Sequence, residues 1–183
     1  MNAVCVYCGS SHGSDPAYLA ATQDLARTLA GRGIRVVYGG ASVGLMGALA
    51  DTALAAGGRV IGVIPRQLVD REIAHTGLTE LHTVDTMHQR KALMAELSDG
   101  FVALPGGIGT LEELIEVYTW AQLGLHHKPL AVINTNGYYD GLAAFLDHAV
   151  TEGFLPAAQR ARLLTAAEPD ALLDGLASAC GPA

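Results

Sequence analysis

Residues 35–65 read "RVVYGGASVGLMGALADTALAAGGRVIGVIP". "RVVY" is a short apolar run rich in β-branched residues, and "RVIGVIP" is another. Between them lie a glycine loop, "GGASVG", and a helical run, "LMGALADTALAAG", that stops at Gly57. Strand, loop, helix and strand in that order make one crossover unit of a parallel sheet. Both strands are apolar throughout rather than in alternation, which predicts cover on both faces.

The same alternation runs outward in both directions. Upstream, "AVCVYC" reads as a first strand, followed by the polar loop "GSSHGSD" and a helix from Pro16 to Arg32. Asp15 is placed to cap that helix, with Pro16 in its first turn. Downstream, Arg66 to Leu78 has no clear period and reads as a long surface loop. "LHTV", "GFVALP" and "KPLAVIN" are further strands, "MHQRKALMAELS" is a helix, and another helix is expected from Asp140 to Glu152. "RLLTA" reads as a short edge strand, with a last helix after Pro169. The expected architecture is α/β: one Rossmann-like domain over residues 1–183, a parallel sheet with helices on both faces.

Composition narrows the function classes. Half of the residues are apolar, which excludes disorder, and the 22 glycines imply many tight turns or close backbone approaches. A net charge of −7 argues against nucleic acid or an acidic membrane as partner. No apolar run approaches the roughly 20 residues of a membrane helix. The opening "MNAVCVYCGSS" lacks the features of a secretory signal, and three cysteines suit a reducing compartment, so a cytoplasmic protein is expected. Cys5 and Cys8 form a C-x-x-C pair, but residues three apart on a strand face opposite ways, so no metal is assigned to them.

Ligands of such sheets bind beyond the carboxyl ends of the strands. Three glycine loops follow strands there: "CGSS" with Gly9 and Ser10, "GGASVG" with Gly39 and Gly40, and "PGGIGT" at 105–110. None has the G-x-G-x-x-G or Walker A pattern, so neither a dinucleotide nor ATP is indicated. The third runs straight into the helix "LEELIEVYTW", and glycines against a helix N-terminus make an anion seat. Thr110-Leu111-Glu112-Glu113 also spells a capping box, which would explain Thr110 and Glu113 without chemistry. Arg90 and Lys91 fall in the first turns of a helix, where cations oppose the macrodipole, so an anion or carboxylate is expected beside them. His88, His126 and His127 show no ligand spacing and read as surface or loop residues.

"PGGIGTLEE", with "MHQRK" upstream, resembles the paired motifs of the LONELY GUY family, the cytokinin riboside 5′-monophosphate phosphoribohydrolases. The resemblance runs nearly end to end, through "VYCGSS", "VYGGASVGLMG", "LSDGFVALPGG", "EVYTWAQLGLHHKP" and "NTNGYYD". It implies hydrolysis of the N-glycosidic bond of adenosine monophosphates, often modified at N6, without metal or organic cofactor. The catalytic pair it implies falls on Arg90 and Glu113. Nucleotide contacts would be Glu72, Arg90, Lys91, the run Gly107, Ile108, Gly109, Thr110, Leu111, Glu112 and Glu113, and Thr119. A homodimer or larger homo-oligomer, with sites near the interface, is implied as well.

Two other readings stand beside this one. Lysine decarboxylation on pyridoxal phosphate would need a Schiff-base lysine, and Lys91 and Lys128 are the only lysines in the chain. A nucleotide carrier or sensor without turnover would need the anion seat but not the joint presence of Arg90 and Glu113.

Overall fold

The computed structural model describes residues 1–69 and 74–179. Its strands are β1 (Ala3–Tyr7), β2 (Arg35–Tyr38), β3 (Val60–Pro65), β4 (Glu80–Val84), β5 (Gly100–Ala103), β6 (Leu130–Ile133) and β7 (Leu163–Ala166). The helices are α1 (Pro16–Gly31), α2 (Gly44–Ala55), α3 (Arg66–Val69), α4 (Met87–Glu96), α5 (Ile108–Gln122), α6 (Asp140–Thr151), α7 (Ala157–Arg160) and α8 (Pro169–Ala179). A 3-10 turn spans Thr135–Gly137. All strand pairings are parallel, in the order β4-β3-β2-β1-β5-β6-β7.

Period-two alternation along β1 splits the interior into two cores. Val4, Val6 and Cys8 face one side, with Leu25 and Leu29 of α1, Leu45 and Leu49 of α2, and Leu172 and Leu176 of α8. Ala3, Cys5 and Tyr7 face the other, with Met94 of α4, Leu114 and Val117 of α5, and Leu146 of α6. Helices therefore cover both faces, as the unbroken apolar strands predict. Cys5 and Cys8 lie in different cores, both free, so they have no common ligand position. Burial pushes the Cys5 thiol up to about 12, and it raises Cys8 as well.

The chain steps from β1 outward to β4 and then returns to place β5 against β1. The loops leaving β1 and β5 consequently diverge at a topological switch point, where the carboxyl ends of strands leave a crevice. The backbone N–H of Gly9 donates to the carbonyl of Pro105 at 3.1 Å and fastens one loop to the other.

β4 is an edge strand, and its residues alternate between half-buried and exposed. Two local expectations are corrected. The stretch from Arg66, read as loop, opens with the helical turn α3, and Ala74 forms an antiparallel bridge to Ala41. The second concerns capping. α5 begins at Ile108 after Gly107, with no side-chain cap, so Thr110 lies inside the helix and Glu113 does not reach back to it. The box with that spacing sits at the start of α4. Gln89 N–H donates to Thr86 Oγ1 at 3.1 Å, and Thr86 N–H donates to Gln89 Oε1 at 3.2 Å. Thr86→Ala is expected to cost about 1 kcal/mol, read as a fall of about 3 °C in the thermal midpoint. Thr110→Ala removes no cap and should not reproduce that loss.

Candidate active site

Arg90 comes from the first turns of α4 and Glu113 from the second turn of α5, and both are buried. Arg90 Nη1 donates to Glu113 Oε1 at 2.6 Å, while Nε donates to the carbonyl of Val63 at 3.1 Å. The carboxylate expected beside the α4 cations is thus supplied by α5. Burial raises the Glu113 carboxyl above its ordinary value of 4.5, and the charge and hydrogen bond of Arg90 oppose that rise without cancelling it.

Lys91, next along α4, pairs with two further carboxylates of α5. Its ammonium donates to Glu112 and, at 3.0 Å, to Glu116. Burial lowers its pKa, but the two carboxylates more than compensate, so it is held charged. Two cations and three carboxylates therefore tie the start of α4 to α5.

A cleft of about 270 Å³ opens above the pair. It is lined by Cys8, Ser10, Met46, Met87, Arg90, Glu112, Glu113 and the turn Gly107–Thr110. Among the described residues, the amides of Gly106 and Gly107 have no hydrogen-bond partner. The first amides of α5 are free of intrahelical partners as in any helix, and no side chain caps them. The turn therefore presents a run of bare N–H groups at the positive end of a 15-residue helix. Gly106 itself must lack a side chain, because a Cβ there would fall 2.2 Å from Thr110 Oγ1 and 2.8 Å from Gly9 N.

Other expected site residues distribute unevenly. Ser10 lines this cleft and a second one, also about 270 Å³, where Gly9, His12, Tyr18 and Tyr138 join Gly106 and Gly107. Ile108 and Leu111 border a third, apolar cleft of about 330 Å³ with Tyr139 and Leu142. Thr119 lies further along α5, exposed, its hydroxyl donating to the carbonyl of Ile115, and it lines none of these clefts. Gly40 accepts the N–H of His75 through its carbonyl and packs against β3. Glu72 lies outside the described residues. His126 is tied to the carbonyl of Val117, and burial lowers its pKa.

Gly39 has a role that spacing did not reveal. A Cβ at this position would lie 2.0 Å from Nη2 of Arg90. Since the far end of a side chain yields more readily than backbone, Gly39→Ala should leave a folded protein with Arg90 pushed off Glu113. A loss of at least tenfold in turnover is expected, on the scale of a 1 Å misplacement near reacting groups. Circular dichroism and a steady-state assay check both halves. Met46, Met87, His12 and Tyr138 were also missed as lining residues, for none carries a local pattern that marks it.

The two lysines do not fit the pyridoxal phosphate reading. Lys91 is committed to two carboxylates, and Lys128, at the amino end of β6, donates to the carbonyl of Ala95. Neither lines the cleft at the switch point.

Fold and cleft together define a class: Rossmann-like α/β proteins with a ligand cleft at the switch point of a parallel sheet. Solved structures of that fold include target TM1055, at TM-score 0.74 and 24% identity, covering 97% of this chain and 99% of the other. A molybdenum cofactor binding protein from Rippkaea orientalis aligns at TM-score 0.72 and 20% identity over 97% and 96% of the two chains. At these identities the likeness concerns the fold alone. Sequence relatives go further. The family described as "possible lysine decarboxylase" matches residues 46–176. The chain is 51% identical over 172 residues to the probable cytokinin riboside 5′-monophosphate phosphoribohydrolase LOGL3 of Oryza sativa subsp. japonica, covering 94% of this chain and 82% of that one. It is 52% identical over 162 residues to the cytokinin riboside 5′-monophosphate phosphoribohydrolase of Rhodococcoides fascians, covering 88% and 82%. The chain belongs to this family, the LONELY GUY phosphoribohydrolases.

Proposed function

We propose that this chain hydrolyses the N-glycosidic bond of adenosine 5′-monophosphates, including N6-modified ones, to the free base and ribose 5-phosphate. The observation that carries the reading is a buried Arg90–Glu113 pair beside a turn of unpartnered amides. Phosphate sits on the amides of residues 106–110, which fixes the ribose over Glu113. As the C1′–N9 bond lengthens, positive charge develops on the ribose, and an adjacent carboxylate stabilises it. The base leaves with the bonding electron pair; water adds its oxygen to C1′, and its proton ends on the base. Glu113 orients that water, and Arg90 holds Glu113 in place. A binding module would need the amides but not a buried carboxylate aimed at the sugar.

Nucleotide contacts on this reading are Arg90 and the turn from Gly107 to Glu113, with Ser10 and Gly9 at the flank and Glu72 assigned only through the family resemblance. Lys91 acts through Glu112, which it pins at the cleft wall. Thr119 reaches a nucleotide only if a second copy's cleft faces this part of α5, which is how a homodimer enters the proposal. The exposed side chains of Leu123 and Leu125 support burial of that end of α5. Free, buried Cys5 and Cys8 support a cytoplasmic setting; among the described residues, no helix is long and apolar enough to cross a membrane.

Incubation with AMP, N6-isopentenyl-AMP and the matching nucleosides, followed by chromatography, tests the reading. Free base and ribose 5-phosphate should appear from the monophosphates. Intact nucleotide after prolonged incubation would refute it.

A further inference from the structure

The geometry points to Tyr138 as a positioning residue for the phosphate seat: its hydroxyl holds the Gly106 carbonyl away from the cleft so that the Gly107 amide faces the ligand. This inference rests on the reading of residues 106–110 as that seat.

Three successive carbonyls lead into α5, and each has a separate partner. Leu104 accepts from Tyr139 Oη at 2.7 Å, Pro105 accepts from the Gly9 N–H at 3.1 Å, and Gly106 accepts from Tyr138 Oη. No peptide bond here is cis, and in a trans peptide the C=O and the following N–H point in opposite directions. Fixing the Gly106 carbonyl therefore fixes the Gly107 N–H, and fixing the Pro105 carbonyl fixes that of Gly106; the peptide after Leu104 ends on Pro105, which has no N–H to orient. Pro105 fixes its own φ, but the two glycines that follow have little of their own to select one peptide orientation, since glycine adopts many backbone conformations. The orientation has to be imposed from outside the turn.

Tyr138 is held for that task. It follows the 3-10 turn Thr135–Gly137, where Asn136 holds a φ of 53°. Asn134 accepts the Tyr139 N–H through Oδ1 at 2.7 Å and donates through Nδ2 to Asp140. Asn136 Nδ2 donates to Asp15 Oδ2 at 2.9 Å, and the same Asp15 caps α1 through its other oxygen. The Tyr138 ring stands edge-on between those of Tyr18 and Tyr139, at centroid distances of 5.6 and 5.1 Å. Tyr139 is buried and Tyr138 half-exposed. A ring that merely filled space would not need its hydroxyl aimed at a carbonyl of the turn.

Tyr138→Phe keeps the ring and deletes only the hydroxyl at a position open to solvent, so the chain should fold. KM for AMP is expected to rise about fivefold to tenfold, the scale of one neutral hydrogen bond, with a smaller change in kcat. The inhibition constant of ribose 5-phosphate should rise by the same factor, whereas that of free adenine should not move. Wild-type constants for ribose 5-phosphate in Tyr138→Phe would overturn the inference, and so would equal weakening of adenine, which would mark a general disturbance. If the wild-type protein neither cleaves AMP nor binds ribose 5-phosphate, the reading of the seat itself fails and takes this one with it.

Discussion

Glu113→Gln is expected to lower release of adenine from AMP by about 10³-fold in kcat, with AMP binding and the fold retained. Glutamine matches the shape of the side chain and still offers an oxygen to Arg90, so the contact in the wall survives. What disappears is the negative charge beside C1′ and the base that orients water. The ground-state nucleotide carries no positive charge on its ribose, so the loss should fall on kcat and leave KM nearly fixed. The wild-type pH profile supplies a second reading of the same group. Burial places the Glu113 carboxyl above 4.5, so the ionised form appears only at higher pH than for an ordinary glutamate. The acid limb of kcat/KM should lie above that value and vanish in the residual activity of Glu113→Gln. An acid limb below 4.5 would mean that the arginine outweighs burial.

Arg90→Ala should damage both activity and stability, and the two losses separate with pH. Removing one partner of a buried pair leaves the other charge uncompensated, at a cost on the order of 3 kcal/mol. Without Arg90 the Glu113 carboxyl rises further. A carboxyl whose folded pKa exceeds its unfolded one favours folding below the unfolded pKa, and this advantage is lost as pH rises through the folded value. The variant should therefore be closest to wild type in urea denaturation at pH 5 and furthest from it at pH 8. Adding Glu113→Gln should restore part of the stability at pH 8 and none of the activity. Equal destabilisation at both pH values would show that Glu113 does not become an unpaired buried charge.

The sheet was legible because buried parallel strands announce themselves as unbroken apolar runs. β1, β2, β3, β5 and β6 all fall where those runs stand, and even the short edge strand β7 does. β4, with Glu80, His82 and Thr83 among its five residues, carries no such run and lies at the opposite edge. The charged cluster of the candidate site was legible where charge and local rule conflicted. Arg90 and Lys91 at the start of α4 called for carboxylates, and α5 supplies them. Where a local rule was satisfied, it deceived. Thr110 and Glu113 have capping-box spacing, yet a partner 23 residues upstream captures the carboxylate, and Thr86 with Gln89 makes the box instead. Gly39 looked like a backbone contact, but its missing side chain leaves room for Arg90. Tyr138 and Tyr139 reach carbonyls 32 and 35 residues away, and no periodicity encodes a contact of that kind.

The central claim places one carboxylate against the sugar of a nucleotide whose phosphate rests on the start of α5. A crystal structure of Glu113→Gln soaked with AMP tests it most directly. Phosphate oxygens should accept from the amides of residues 106–110, with C1′ within about 3.5 Å of the side chain at position 113. A nucleotide bound elsewhere, or a ribose turned away from that side chain, would contradict the account.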